Sequence, residues 1–164
     1  MLRIAQFSTA EGTEHENTTT EGSIARKIFT AGELQPGKVY GFSCGLIVND
    51  NNSTDTLLAR VRFGSSSTVT SNTEIGVGAN AVDVADGDVA WIRGEIHVQS
   101  ATRAVFHATV PDVDASGTIA DKSSVAVFTL VEGTTYYLDV TADWSVAHAD
   151  NEVAAASWAV FEIV

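Results

Sequence analysis

The sequence is poor in cysteine, in cations and in long hydrophobic runs, and each scarcity removes a class of protein. Cys44 is the only cysteine among 164 residues, so no internal disulfide can form, which fits folding in a reducing cytoplasm. Lys and Arg number 9 against 21 Asp and Glu, a formal net charge of −12. Duplex-binding proteins draw most of their affinity from cations on phosphates, so nucleic acid is not an expected partner. No apolar run approaches the ~20 residues of a membrane helix, and no charged-then-apolar leader opens the chain, so no membrane partner is expected. Capped helical spacing is missing throughout. What is plentiful is apolar content, 45% of residues, which argues against disorder and suits one well-buried domain.

The clearest pattern runs from Thr134 to Trp144. Tyr136, Leu138, Val140, Ala142 and Trp144 alternate with Tyr137, Asp139, Thr141 and Asp143. Successive side chains of a strand point to opposite faces, so this is a strand with one buried and one wetter face. Val39 to Asn49 repeats the pattern, with Tyr40, Phe42, Cys44, Leu46 and Val48 inward, and Asp55 to Phe63 does so with Leu57, Ala59, Val61 and Phe63. Cys44 thereby reads as a small core residue. Leu2 to Ser8 and Ser23 to Ala31 are further strands, Gln35-Pro36-Gly37-Lys38 is a turn, and Thr68 to Val84 is an edge strand plus loop.

Asp88 to Gln99 and Arg103 to Val110 form a hairpin. Its register follows from the faces: a three-residue loop, Ser100 to Thr102, opposes Val98 to Ala104 and Ile96 to Phe106, whereas a two-residue turn would mix them. Pro111 to Lys122 reads as a loop, and Ser123 to Val131 as a strand with apolar residues on both faces. The sum is an all-β chain of about nine or ten strands, mostly antiparallel. A two-sheet sandwich is favoured, a jelly roll above others. Residues 1–22 form an N-terminal strand and polar arm, and residues 23–164 the β-sandwich domain.

Motifs that suggest chemistry lack its context. Gly41-Phe42-Ser43-Cys44-Gly45 matches the nucleophile-elbow pattern but lies mid-strand, with no helix after it. Gly76-Val77-Gly78-Ala79-Asn80-Ala81 imitates a dinucleotide fingerprint without a helix to face a pyrophosphate. Asp112, Asp114, Ser116 and Thr118, with Gly117 at the bend, match the first half of a calcium loop. The twelfth position, however, is Ser123 in place of a bidentate Glu, so a solvated acidic loop is the plainer reading and no cofactor is expected beyond calcium. His107 opposes Glu95 with His97 diagonal, a wet cross-strand pair short of the ligands zinc requires. Asp139 and Asp143 lie about 13 Å apart at strand rise, too far for a glycosidase pair. No enzymatic activity is expected. Trp91, beside Arg93, Glu95 and His97, and Tyr137, beside Asp139 and Asp143, are aromatics on polar faces, as contact residues for another subunit or a sugar ring would be.

Asn17-Thr18-Thr19-Thr20-Glu21 precedes a strand and then Leu34-Gln35-Pro36-Gly37-Lys38-Val39-Tyr40. Ser53-Thr54-Asp55-Thr56-Leu57 leads to Arg60-Val61-Arg62-Phe63-Gly64, and Val140-Thr141-Ala142-Asp143-Trp144-Ser145-Val146-Ala147 is followed by Asn151. These stretches resemble a loose group of tailed-bacteriophage virion proteins built on a jelly-roll-like sandwich. The resemblance implies a structural component of the capsid-decoration or cement type. Such a protein is made in the host cytoplasm and sits on the capsid surface; its partners are the major capsid protein and its own copies as a homotrimer. An acidic module would be repelled from packaged DNA, which suits the outer face of a head. The arm, through Asn17 and Thr19, is expected to reach a neighbouring subunit or the shell. The rival expectation is a receptor- or glycan-binding module of a phage fibre or tail, using Trp91 and Tyr137.

Overall fold

The computed structural model describes residues 2–8, 12, 14–52, 55–77, 82–83, 87, 89–113 and 119–163, the side chains of 2–5, 77, 82–83, 111–113 and 119–122 excepted. The described elements are all strands apart from one 3-10 turn, Val69–Ser71. They are β1 (Leu2–Ser8), β2 (His15–Glu16), β3 (Gly22–Phe29), β4 (Val39–Asp50), β5 (Thr56–Gly64), β6 (Thr73–Val77) and β7 (Val82–Asp83) in the first half of the chain. The second half supplies β8 (Val89–Ser100), β9 (Arg103–Val113), β10 (Ile119–Thr129), β11 (Tyr136–Trp144) and β12 (Glu152–Ile163). Ten of these have five residues or more, while β2 and β7 have two each.

Every pairing is antiparallel. The larger sheet has the order β1-β12-β4-β8-β9-β10, with β2 added beside β12; the smaller has the order β3-β11-β5-β6, with β7 beside β5. Without the β9–β10 hairpin and the two short strands, the sheets reduce to β1-β12-β4-β8 and β3-β11-β5-β6. That interleaving of early and late strands is the double Greek key of a jelly roll. The hairpin is an extension that widens one sheet.

The alternating faces pack as the pleat requires. Tyr40, Phe42, Cys44, Leu46 and Val48 of β4 and Tyr136, Leu138, Val140, Ala142 and Trp144 of β11 are all buried. Phe63 sits where the sheets meet. Its ring stacks on Tyr136 at 5.2 Å and lies 4.4 Å from Phe106 and 4.9 Å from Phe128, so one side chain of β5 joins β11, β9 and β10. Pro36-Gly37 turns as the sequence demands: Lys38 N–H donates to Gln35 O at 3.1 Å and Gly37 adopts φ 83°, the positive φ of a Pro-Gly type II turn. Burial pushes the Cys44 thiol up to about 12, which leaves it protonated and inert.

Four local expectations change. The β8–β9 register is as argued, Val98↔Ala104 and Ile96↔Phe106, but Ser100 pairs with Arg103 and the odd residue is taken up by a bulge between Val98 and Ser100. The segment from Pro111 to Lys122 is shorter as a loop than its composition suggests, because the ladder continues through Pro111↔Asp121 and Val113↔Ile119. The β8–β9 pairing ends at Arg93↔Thr109, so among the described residues Pro111 has a strand neighbour on one side alone, where a missing N–H is tolerated. The polar arm is fixed at both ends: β1 pairs with β12, β2 pairs with Val153 and Glu152, and Gly12 N–H donates to Ala155 O. Finally, the polar face of β11 is not wet, since Asp139 and Thr141 are as buried as Leu138.

A buried amide holds the loops at one end. Asn151 Nδ2 donates to Asp55 Oδ2 at 2.8 Å and to Val146 O at 3.0 Å, while its Oδ1 accepts from Asn52 N–H at 2.9 Å. Of all these contacts the Phe63 cluster joins most elements. Phe63→Ala should cost about 3–5 kcal/mol of folding stability, read as a lowered urea midpoint with an unchanged slope.

Candidate functional site

Two outer faces result from this architecture, and they differ in chemistry. On the smaller sheet, Asp139 accepts from Arg26 Nε at 2.6 Å and from Ser23 Oγ at 2.6 Å. One strand over, Glu21 takes a bidentate pair of bonds from Arg62 at 2.5 and 2.7 Å and a third from Thr141 Oγ1 at 2.5 Å. Arg60 lies between Asp143, Glu74 and Glu21. Burial would raise the Glu21 pKa, but the hydrogen bonds from Arg62 and Thr141 and the charges of Arg62 and Arg60 outweigh it and hold the carboxyl below the usual range. This face is a closed lattice of ion pairs whose acceptors are taken. Tyr137 belongs to it, half-buried with the Arg26 guanidinium 5.1 Å from its ring centre.

The outer face of the larger sheet is open. Cross-strand register lays its side chains in rows over β4, β8, β9 and β10: Ser43, Arg93, Thr109 and Ser123 in one, Gly41, Glu95, His107 and Val125 in the next. A shallow groove of about 330 Å³ runs over the first three strands, lined by Ser43, Arg93, Glu95, His107, Thr109 and Phe161. Its floor is low because the β4 positions on either side of Ser43 in this face are glycines, Gly41 and Gly45. A Cβ at Gly41 would run into the Phe161 ring, and one at Gly45 would stand 3.3 Å from the Trp91 ring. Trp91 thus lies over Gly45, one row beyond Ser43 and Arg93, 50% exposed. Five of the seven Lys and Arg side chains described are in carboxylate ion pairs, whereas Arg93 and Arg103 are in none among the described residues.

The groove has polar groups without catalytic geometry. Ser43 and His107 both line it, but β8 separates their strands, and no hydrogen bond joins them among the described residues. Ser43 stands in the middle of the uninterrupted strand β4, so no elbow lifts its hydroxyl. Glu95 lies opposite His107 as the register argument requires, yet its carboxylate turns along its own strand to His97 Nε2 at 2.8 Å. His148 is placed beside Asp150, whose N–H donates to its Nδ1 at 3.2 Å. His15 belongs to β2, and its carbonyl accepts from Trp144 Nε1 at 3.3 Å. The His15 ring itself is less well satisfied, its Nε2 buried without a hydrogen-bond partner among the described residues.

Of the calcium-loop residues, Asp112 lies in β9 opposite Ala120, and Asp114, Ser116 and Thr118 fall outside the described residues, as do residues 78–81 of the glycine-rich stretch. Asn17 and Thr19 are exposed between β2 and β3; Asn17 has φ 47° and its N–H donates to Asn151 O at 3.2 Å. A separate acidic group gathers at the β2–β12 end, where carboxylate oxygens of Glu14, Glu16 and Glu152 lie within 4.8 Å of one another. Desolvation and then repulsion from Glu14, Glu16, Asp50 and Asp150 raise the Glu152 pKa.

Glu21 and Arg93 were not identifiable as key residues from the sequence. Glu21 reads as one more acid in a polar arm, and its partners come from strands far along the chain. The row of Ser43, Arg93 and Thr109 needs β4 beside β8, which local alternation does not specify.

No protein-family model and no curated protein sequence matches the chain. Among solved structures it is similar to "Lectin UEA-II complexed with galactose", at 12% sequence identity and a TM-score of 0.40, covering 100% of this chain and 92% of that one.

The lowered Glu21 pKa makes a signed prediction. A carboxylate depressed in the folded state contributes stability above its unfolded pKa and loses it as pH falls through the folded value. Glu21→Gln should therefore destabilise the protein by about 1–2 kcal/mol near neutrality. Melting curves of the two proteins should converge as pH drops below the ordinary carboxylate range, while a pH-independent gap would contradict the pairing.

Proposed function

We propose that this chain is a structural component of a virus particle, a decoration protein held on the outer face of a tailed-phage head by contacts with the major capsid protein. The observation that carries the reading is how the charged groups are used. Arginines and acids on the smaller sheet are engaged in holding the sandwich together, while large apolar side chains, Val89, Trp91, Val125 and Val127, stand exposed on the larger sheet. A rigid module that fixes its ionic groups internally and presents apolar side chains outward is built to be held against another protein surface. The net charge of −12 supports the outside of a head over its DNA-filled interior. Labelling intact particles with an antibody to this chain should decorate the head lattice; label confined to the tail would refute the head assignment.

A second reading has its own support, the half-exposed Trp91 one row beyond Ser43 and Arg93. An indole face beside guanidinium, carboxylate and hydroxyl groups offers a sugar ring both stacking and hydrogen bonds. On this reading the chain is a glycan-binding module of a fibre or tail. A glycan array should then show discrete hits that Trp91→Ala removes without altering the melting temperature, and an array with no hits would dismiss it.

A further inference from the structure

Among the described residues the larger sheet ends at β10, which pairs with β9 alone. Edge strands expose unpaired N–H and C=O groups, and proteins guard them with charge, proline or cover. All four edge strands carry charge in sequence: Arg3 in β1, Arg26 and Lys27 in β3, Glu74 in β6, and Asp121 and Lys122 near the start of β10. From Ser123 to Val131 the chain reads Ser-Ser-Val-Ala-Val-Phe-Thr-Leu-Val, without one charged residue or proline. Its outward valines are well exposed, Val125 at 71% and Val127 at 60%. Val105 stands beside Val127 on β9 and widens the apolar area.

We infer that this edge is covered by the same edge of a second copy, the two β10 strands pairing antiparallel about a two-fold axis at Ala126. Charge selects the partner. Two chains of −12 repel over most of their surfaces, and a β10-to-β10 contact brings together stretches that carry no charge. Geometry selects the register. Strand faces stay aligned when outward residues oppose outward residues, and the axis at Ala126 sets Val125 against Val127 of the copy and Ser123 against Thr129. Valine then meets valine, and hydroxyl meets hydroxyl, twice over. An isologous contact of this kind closes at two copies. It joins two larger sheets into one and covers the uncharged stretch of edge on each molecule. It does not depend on where the protein sits on a particle, and it differs from the threefold association that the family resemblance implies.

Sedimentation of the full chain at tens of micromolar tests it. The expected mass is twice 17.3 kDa; Val127→Lys and, separately, Val125→Lys should each reduce it to one chain with an unchanged melting temperature. Val146→Lys, an exposed apolar position away from this edge, should leave the dimer intact. A wild-type mass of one chain, or an oligomer of any size that neither β10 lysine alters, would overturn the inference.

Discussion

The sandwich depends on closing two sheets over the aromatic group at Phe63. Its stack on Tyr136 is a contact within the smaller sheet, and its approaches to Phe106 and Phe128 reach the hairpin of the larger one. β9 and β10 lie outside the eight-strand roll, joined to it by the β8–β9 ladder and by these side chains. Ser124 Oγ, donating to Ile75 O at 2.5 Å, adds a polar tie between the same two layers. The face that bears Val125 and Val127 is therefore presented by an element whose opposite face is anchored in the core.

Charge is distributed with the same division of labour. An acidic chain of this composition would be expected to repel itself in the compact state. The scarce arginines are placed where they relieve that repulsion most, between Asp139, Asp143, Glu21 and Glu74 on one sheet face. At the β2–β12 end, where Glu14, Glu16 and Glu152 gather, desolvation and then the surrounding carboxylates raise the proton affinity of Glu152. The fold thus has a neutralised layer on one side and an open surface on the other, where Arg93 stands free of carboxylate pairing among the described residues.

Much of the architecture was readable because burial follows parity. In β11 and β4 every alternate residue named inward from the sequence is buried, and the Ile96↔Phe106 register followed from keeping faces unmixed. Where polarity hid the alternation, the reading failed. Pro111 to Lys122 looks like a loop because Asp112, Asp121 and Lys122 mask a ladder held by backbone bonds. The attachment of the arm was not legible, because β2 and Gly12 bond to β12 through the backbone and Glu21 is ionic, with partners at Arg62 and Thr141 that no local pattern links to it. Of the open face, Trp91 was visible as an aromatic among polar residues. The glycine floor and the Ser43–Arg93–Thr109 row were not, since they arise from strand order and not from any single strand.

The last two strands to be made are interior to their sheets: β12 lies between β1 and β4, and β11 between β3 and β5. During vectorial synthesis, the N-terminal half emerges from the ribosome with no neighbour for most of its strands. Among the described strands, only the β4–β8, β5–β6, β5–β7 and β8–β9–β10 ladders can assemble before Tyr136 is translated. Topologies dominated by such distant pairings nucleate slowly and leave nascent segments vulnerable to misassociation. For this chain the excess of carboxylates has a second role during that interval, as a kinetic solubiliser that keeps half-made molecules apart until the C-terminal strands arrive to close both layers.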